Sequence, residues 1–214
     1  RLFKINYHLV WAIIAFQRPM KRGVKPSKQP TGSIRIISGR WRGSKLPVAN
    51  VLGLRPTTDR NKETLFNWLM PYVLNAQCLD VFAGSGGLGF EALSRYAKHV
   101  VFMELDKGAV ENIQHNLLKL KVDAGQAKVI NGNALQLLTR CDQQFDLIFL
   151  DPPFHQGLLP ETISLIKHHK LLAPAGIIYI ESELSAADYA IPSEWHLLKE
   201  RQGSQLCSRL YQNH

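Results

Sequence analysis

Acidic residues are absent from the first 58 positions of this 214-residue chain, although those positions hold twelve lysines and arginines. Residues 59–214 contain the other fourteen basic residues and all seventeen acidic ones, which gives this part of the chain a net charge of −3. The whole chain carries a net charge of +9. A basic block on a mildly acidic body is typical of an arm that contacts a polyanion, and a solvated tail is the alternative.

Cysteines and long apolar runs are also scarce. Cys78, Cys141 and Cys207 are an odd number without metal-ligand spacing, which favours reduced thiols in a cytoplasmic protein over a metal site. No apolar run reaches the roughly 18–20 residues that cross a bilayer. The apolar stretch 9–16 is short for a secretory signal, and no small-residue cleavage site follows it. We therefore expect a cytoplasmic protein without a metal or a membrane segment. Residues 1–19 are expected either to precede the natural start or to form a loose helix of no function.

The composition predicts a flexible extension followed by a single domain. Residues 18–33 are rich in Lys, Pro, Gly, Ser and Gln, so residues 1–33 are predicted to be a flexible basic extension. The remaining residues, 34–214, have the length of one domain. Within it, β-branched residues at 34–38, the turn Gly39-Arg40-Trp41-Arg42-Gly43 and residues 45–48 predict a small β-hairpin in an arm that spans 34–56.

The predicted hairpin arm displays an aromatic side chain between two guanidinium groups. Trp41 can stack on a nucleic-acid base while its neighbours hold phosphates; the alternative is that Trp41 covers the main core. Arg55 precedes the first long helix and is expected near the bound ligands, unless it only locks the start of that helix. The predicted RNA-binding residues are Arg35, Arg40, Trp41, Arg42, Lys45 and Arg55.

From residue 57 onward, which begins the predicted core (57–214), helix and strand patterns alternate. Helices are predicted over 59–71, 87–97, 107–120, 134–139 and 160–169, and strands over 78–83, 99–104, 127–131, 145–150 and 177–181. Residues 195–200 and 206–211 are predicted to close the sheet as an antiparallel pair. Alternating strands and helices predict an α/β Rossmann-like fold, with a mostly parallel seven-stranded sheet and helices on both faces.

A glycine-rich loop, residues 84–89, follows the first core strand. In such a sheet ligands bind beyond the carboxyl ends of the strands, and glycines let the backbone approach them closely. Glu104 ends the second strand and can accept hydrogen bonds from two ribose hydroxyls, while Asn133 follows the third strand, where an adenine ring can be contacted. The predicted cofactor-binding residues are Asp80, Phe82, Ala83, Gly84, Ser85, Gly86, Glu104, Leu105, Asn133 and Ala134.

The glycine spacing also matches the dinucleotide fingerprint, so the glycines alone do not separate two kinds of cofactor. Asp80 lies four residues before the first of them. A carboxylate there suits a cofactor that carries an ammonium and a sulfonium better than one that carries a pyrophosphate.

The most specific motif is Asp151-Pro152-Pro153-Phe154, directly after an apolar strand. Proline fixes φ, so this segment is predicted to be a rigid pocket wall. The Asp151 carboxylate and the Pro152 carbonyl can accept both hydrogens of an exocyclic base amine, while Phe154 stacks on the base. Asp151 can also take the proton that the amine loses. A base in a duplex or loop must be flipped out to enter such a pocket.

These residues resemble those of class I methyltransferases, which bind S-adenosylmethionine with the glycine loop and the acid after the second strand and hold the target amine with the Asp-Pro-Pro-Phe motif. Residues 34–43, 54–60 and 63–69 further resemble the RsmD family, and the likeness covers about residues 33–212. The resemblance implies methylation of the N2 amine of guanine 966 in 16S rRNA, on assembled or nearly assembled small subunits. A monomer is expected. Asn133 departs from the acid that many methyltransferases have after the third strand, which leaves its adenine contact open.

Several alternatives stay open at this point. The acceptor can be an adenine N6 or cytosine N4 amine, or a protein glutamine amide. Two further readings belong to other classes, namely an NAD-dependent oxidoreductase and a non-catalytic RNA-binding module.

Overall fold

The protein is described by a computed structural model that covers residues 32–48 and 59–214. Arg55, Thr57 and most of the predicted N-terminal extension lie outside the described residues. The strands are β1 (Ser33–Arg35), β2 (Lys45–Pro47), β3 (Gln77–Asp80), β4 (His99–Glu104), β5 (Ala127–Asn131), β6 (Phe145–Leu150), β7 (Leu172–Glu183), β8 (Trp195–Gln202) and β9 (Leu206–Asn213). The α-helices are α1 (Asp59–Trp68), α2 (Met70–Val73), α3 (Gly87–Ser94), α4 (Lys107–Lys119), α5 (Ala134–Leu138) and α6 (Leu159–His168). A short 3-10 helix covers Leu184–Ala186.

Seven strands form one sheet in the order β5-β4-β3-β6-β7-β9-β8. The first five in that order are parallel, and β9 pairs antiparallel with both β7 and β8. This confirms the predicted Rossmann-like sheet with its antiparallel C-terminal pair. The chain order reverses between β3 and β6, which places a switch point beside β3.

Alternating strand residues serve two hydrophobic cores, one on each face of the sheet. Phe102 and Phe149 point into the core shared with α1, α3 and α4, whereas Met103 and Ile148 point into the core shared with α5 and α6. Because the side chains of a strand alternate between its faces, one apolar strand contributes to both cores. The predicted placement of helices on both faces is therefore confirmed.

Several element boundaries differ from the predictions, and α3, for example, ends at Ser94 rather than at residue 97. The first helix ends at Trp68 rather than near Pro71, and α2 begins at Met70, with the proline in its first turn where no N–H is needed. Strand β3 ends at Asp80 rather than at residue 83. Strand β7 begins at Leu172 rather than at residue 177, because Leu172 pairs with Phe145 ahead of a bulge.

The predicted β-hairpin is present, since β1 and β2 pair antiparallel from Ser33↔Pro47 to Arg35↔Lys45. Its loop contacts the C-terminal half of α3 through two polar side chains. The fully buried Glu91 carboxylate accepts hydrogen bonds from the backbone N–H groups of Ile37 and Ser38 at 2.8 and 3.0 Å. The Ser94 hydroxyl donates to the Ser38 carbonyl at 2.6 Å and accepts from Trp41 N–H at 3.0 Å.

Within the described ranges, no helix is both long enough and apolar enough to span a bilayer.

Candidate active site

A cavity of about 820 Å³ opens at the carboxyl ends of strands β3 to β6, at the switch point of the sheet. The predicted cofactor-binding residues that line it are Asp80, Phe82, Ala83, Gly84, Ser85, Glu104, Leu105, Asn133 and Ala134, and all four predicted catalytic residues, Asp151, Pro152, Pro153 and Phe154, line it as well. The structure thus brings together residues that are spread along the chain from Asp80 to Phe154.

Gly86 is the one predicted cofactor residue that is not part of the cavity lining. It has a φ of +79°, in the left-handed region, and a Cβ on it would lie 2.7 Å from Cε2 of Phe90. Gly86 directly precedes α3, so it shapes the turn by which the loop enters that helix. Gly86 therefore shapes the loop without forming part of the surface that a ligand would contact.

Asp80 lies at the bottom of the cavity and is only 2% exposed. Its Oδ2 accepts a hydrogen bond from Gly89 N–H at 3.1 Å. Burial raises the pKa of Asp80 to about 7; the Gly89 hydrogen bond opposes this shift, and the nearby Glu104 charge adds to it. A cation that enters the cavity would stabilise the charged form of this carboxyl group and would therefore lower its pKa.

Glu104 joins the glycine loop to the turn after β4. Its Oε2 accepts from Gly84 N–H and its Oε1 accepts from Asp106 N–H, both at 2.7 Å. The carboxylate therefore holds the two loops that border the cavity on this side. Because a carboxylate offers about four acceptor positions, these two bonds leave capacity for the predicted ribose contact.

Asn133 caps α5 with its side-chain oxygen, which accepts from Leu135 N–H at 2.9 Å and from Gln136 N–H at 3.4 Å. An amide can therefore replace the acid that many methyltransferases have at this position without loss of the cap, since both residue types are good N-caps. The predicted adenine contact accordingly falls to its amide NH₂ group or to the backbone, and it stays a prediction.

The motif after β6 forms the opposite wall of the cavity. Pro152 is buried, whereas Asp151 and Phe154 are half-buried and face the cavity. Phe154 also has an edge contact with the ring of His155 at a centroid distance of 6.3 Å. An acid, a proline and an aromatic residue thus line the same cavity, and their predicted contact with an amine stays a prediction.

Sequence reasoning missed four charged residues that line the same cavity: Glu181 on β7, Lys62 on α1, and Asp106 and Lys107 at the start of α4. Glu181 is 5% exposed, and Lys62 is 3% exposed and donates to the Arg35 carbonyl. Burial lowers the pKa of Lys62, and the charge of Glu91, whose Oε2 lies 3.9 Å from the lysine Nζ, opposes that shift. A charged residue inside an apolar strand was the available signal for Glu181, whereas nothing in the α1 pattern distinguished Lys62.

The arm side chains predicted to contact RNA are mostly on the surface: Arg35, Arg40, Arg42 and Lys45 are exposed. Trp41 is half-buried, packs against the larger core cluster, and has the Arg40 guanidinium 4.6 Å from its ring centroid. Its position matches the alternative in which it covers the core. The RNA contact of these residues remains a prediction, and Arg55 lies outside the described residues.

In the portion of the chain that the structure describes, no group of three or more His, Cys, Asp or Glu side chains could hold a metal ion.

The sheet order, the glycine loop and the motif after β6 together define a Rossmann-like methyltransferase fold. The solved structure of TrmN from Thermus thermophilus shares this fold at a TM-score of 0.60, with 19% identity over 72% of this chain and 48% of that one. The solved structure of the Escherichia coli protein yhhF superimposes with a TM-score of 0.79 and 47% identity, and covers 86% of this chain and 99% of that one.

The family model described as Conserved hypothetical protein 95 matches residues 34–212. Ribosomal RNA small subunit methyltransferase D of Haemophilus influenzae is 53% identical over 85% of this chain and 95% of its own length. The protein of the same name from Escherichia coli strain K12 is 49% identical over 88% of this chain and 94% of its own length. The chain therefore belongs to this family, the RsmD family of methyltransferases.

Proposed function

We propose that this chain transfers a methyl group from S-adenosylmethionine to the exocyclic N2 amine of one guanine in the 16S RNA of the small ribosomal subunit. The observation that carries the proposal is that Asp151 and Pro152 line the same cavity as the glycine loop and Glu104. The relatives that match almost the whole of this domain are named as methyltransferases of small-subunit ribosomal RNA, which supports RNA as the substrate.

The residues of the cavity fit S-adenosylmethionine, which when bound supplies an electrophilic methyl group. Asp80 is buried at the cavity floor and favours an ammonium group there. A pyrophosphate in the same place would face that carboxylate, so the oxidoreductase alternative fits less well. Glu104 lies at the end of β4, where its carboxylate can accept from ribose hydroxyls.

On the opposite wall, the chain's own groups orient the target amine. The amine lone pair of guanine is delocalised into the ring, which makes the nitrogen a poor nucleophile. Accepting its hydrogens at the Asp151 carboxylate and the Pro152 carbonyl favours a pyramidal nitrogen, and stacking on Phe154 keeps the base in line. The Asp151 carboxylate then accepts the proton that leaves the amine.

The exposed basic residues of the arm, together with the basic N-terminal block, supply the charge that a ribosomal RNA substrate requires. We propose guanine 966 of an assembled or nearly assembled particle as the target, and the resemblance to the family supports this choice. A flipped-out base is needed to reach the wall formed by Asp151, since the amine must enter the cavity.

The test measures transfer of labelled methyl groups from S-adenosylmethionine to small subunits from a strain that lacks this protein, followed by mass mapping of the RNA. We expect one methylated guanine, carrying the label on N2. Asp151→Ala should reduce the rate at least about 100-fold, the scale of a lost proton acceptor, while cofactor affinity stays near that of the wild type.

Asp142→Ala is the matched control, because Asp142 is exposed and precedes β6 rather than following it. Undiminished transfer by Asp151→Ala would refute the assigned role. Methylation of DNA or of a protein amide in place of the RNA would refute the substrate. RNA binding without any cofactor binding in calorimetry would favour the non-catalytic alternative.

A further inference from the structure

The cavity wall that carries Asp151 has a second carboxylate beside it. Strands β6 and β7 are parallel neighbours with Leu150 paired to Ile180. Asp151, directly after the end of β6, and Glu181, within β7, are the residues that follow this pair. Both side chains lie two residues after a core-facing aromatic, Phe149 and Tyr179, and both line the cavity. Because side chains alternate along a strand, the two carboxylates project from the same face of the sheet.

Glu181 is held in place by a buried phenol. The Tyr179 hydroxyl donates to Glu181 Oε2 at 2.5 Å and lies 3.2 Å from Ser208 Oγ, on the neighbouring strand β9. Burial, followed by the charge and hydrogen bond of Glu181, raises the pKa of Tyr179 well above its ordinary value. The phenol therefore remains a donor, and it fixes one oxygen of a carboxylate that can accept several further hydrogen bonds.

Two adjacent carboxylates accept hydrogen bonds, so they require two adjacent donors on the base. Among the common bases with an exocyclic amine, only guanine has two adjacent donors on its Watson–Crick edge. Guanine presents the N1–H donor next to its N2 amine. Adenine and cytosine present an unprotonated ring nitrogen next to their amines, so this position is an acceptor. A carboxylate that is 5% exposed is poorly screened by solvent, so it attracts a facing N–H donor and repels the lone pair of a facing acceptor.

We infer that Glu181 accepts the N1–H of the target guanine while Asp151 accepts from the N2 amine, so that Glu181 makes the site selective for guanine. The inference rests on the proposed function, since it concerns the same bound base. It assigns Asp151 to the reaction and Glu181 to recognition. Sites built to bond a polar hydrogen reject analogues that lack it by factors of up to about 10⁴–10⁵.

A purely structural role for Glu181 makes a different prediction. If the Tyr179–Glu181–Ser208 contacts only join β7 to β9, a change at Glu181 should lower the stability of the domain and slow the methylation of any bound base equally. Selective binding predicts instead that the ratio between two bases changes. The ratio is therefore the quantity to measure.

The experiment uses the full chain and small subunits reconstituted with ligated 16S RNA that carries either guanine or 2-aminopurine at the mapped target. The analogue keeps the amine at position 2 but has no hydrogen on N1. We expect the wild type to methylate guanine at least about 100-fold faster than 2-aminopurine, as expected for a buried acceptor left without its donor. In Glu181→Gln, whose amide can donate to the unprotonated N1, the ratio should fall at least about tenfold, mainly through slower reaction of guanine.

Tyr179→Phe is the second variant. It keeps the Glu181 carboxylate but removes the phenol that orients it, and it should reduce the ratio by a smaller factor. Glu111→Gln, on the exposed surface of α4 with 66% of its side chain accessible, makes the same chemical change away from the cavity and should leave the ratio unchanged. 2-Aminopurine also lacks the guanine O6, but this affects every variant alike and drops out of the change in ratio.

The outcomes separate the inference from the function on which it rests. Equal loss of rate on both bases in Glu181→Gln, or a wild type without preference for guanine, overturns the inference and leaves the RNA methyltransferase intact. A wild type that transfers no methyl group to guanine-containing subunits overturns the proposed function, and the inference with it.

Discussion

Asp80 shows how burial changes the chemistry of a single residue. With a pKa raised to about 7 by burial, this carboxyl group is mostly protonated near pH 6 in the unliganded protein. Because the pKa of Asp80 is raised in the folded protein, this residue makes its full contribution to the free energy of folding only at pH values below the ordinary pKa of an aspartate. That contribution is lost as the pH rises through about 7. A bound cation reverses this preference, because it stabilises the ionised form.

Cofactor binding should therefore release a proton from Asp80. At about pH 6 we expect calorimetry in buffers of different ionisation enthalpy to show release of nearly one proton per S-adenosylmethionine. The affinity should rise about fivefold between pH 6 and 7. Near pH 8 the release from this group should vanish. Asp80→Asn should bind the cofactor more weakly and without that proton release, and a wild type with no proton linkage at pH 6 would contradict the role given to Asp80.

At the scale of elements, the loop of the β1–β2 hairpin is attached to α3 by a close backbone approach and by hydrogen bonds. Gly39 has a φ of +83°, and a Cβ added to it would lie 1.9 Å from the Ser94 carbonyl oxygen. Arg40 N–H donates to the same oxygen at 2.7 Å. The buried Glu91 carboxylate, which also accepts from Arg95 Nε at 2.8 Å, holds the neighbouring part of the loop. The loop therefore depends on an approach of two backbones that only glycine allows.

This attachment is tested by two alanine substitutions in one loop. Gly43 has the same φ of +83° but has no atom within 4 Å of an added Cβ, so Gly43→Ala measures the backbone strain alone. We expect Gly43→Ala to lower the free energy of unfolding by about 1 kcal/mol. Gly39→Ala should cost at least about 2 kcal/mol more, or about 4–8 °C in Tm for a domain of this size. Equal melting temperatures for the two variants would show that the loop does not need this contact.

At the scale of the whole molecule, the charge asymmetry is the dominant feature. All of the positive excess lies in residues 1–58, and seven of those basic residues fall within 1–32. Each phosphate contact that a basic side chain makes contributes about 0.7–0.9 to the slope of log affinity against log salt concentration. An RNA-binding arm therefore leaves a measurable signature in the salt dependence of binding.

Deletion of residues 1–32 should weaken binding to small-subunit RNA and flatten the salt slope, by up to about five units if all seven basic residues contact phosphates. A full-length variant with these seven residues changed to glutamine controls for chain length and should behave like the deletion. Asp151→Ala retains every basic residue and should keep the wild-type slope. A slope that the deletion does not change would show that the extension makes no contact with RNA.

Much of the fold was predictable because its signals are local. The short apolar strands, the glycine loop at 84–89 and the two prolines after β6 are all signals carried by neighbouring residues. The order of strands and helices along the chain, and the loops that carry the motifs, therefore followed from the sequence alone. The boundaries that were missed depend on pairing with distant segments. Strand β7, for example, begins five residues earlier than predicted because Leu172 pairs with Phe145 of β6.

For this protein, the sequence by itself determined the mostly parallel sheet with its antiparallel end pair and the loop residues that follow the strands, because apolar patterning and turn chemistry act between near neighbours. Only the tertiary structure decided that Glu181 lies beside Asp151, that Asp80 is buried deeply enough to hold a proton near neutral pH, and that Glu91 joins the hairpin loop to α3. Those features arise from strand register and from the exclusion of water, which exist only once distant segments have packed together.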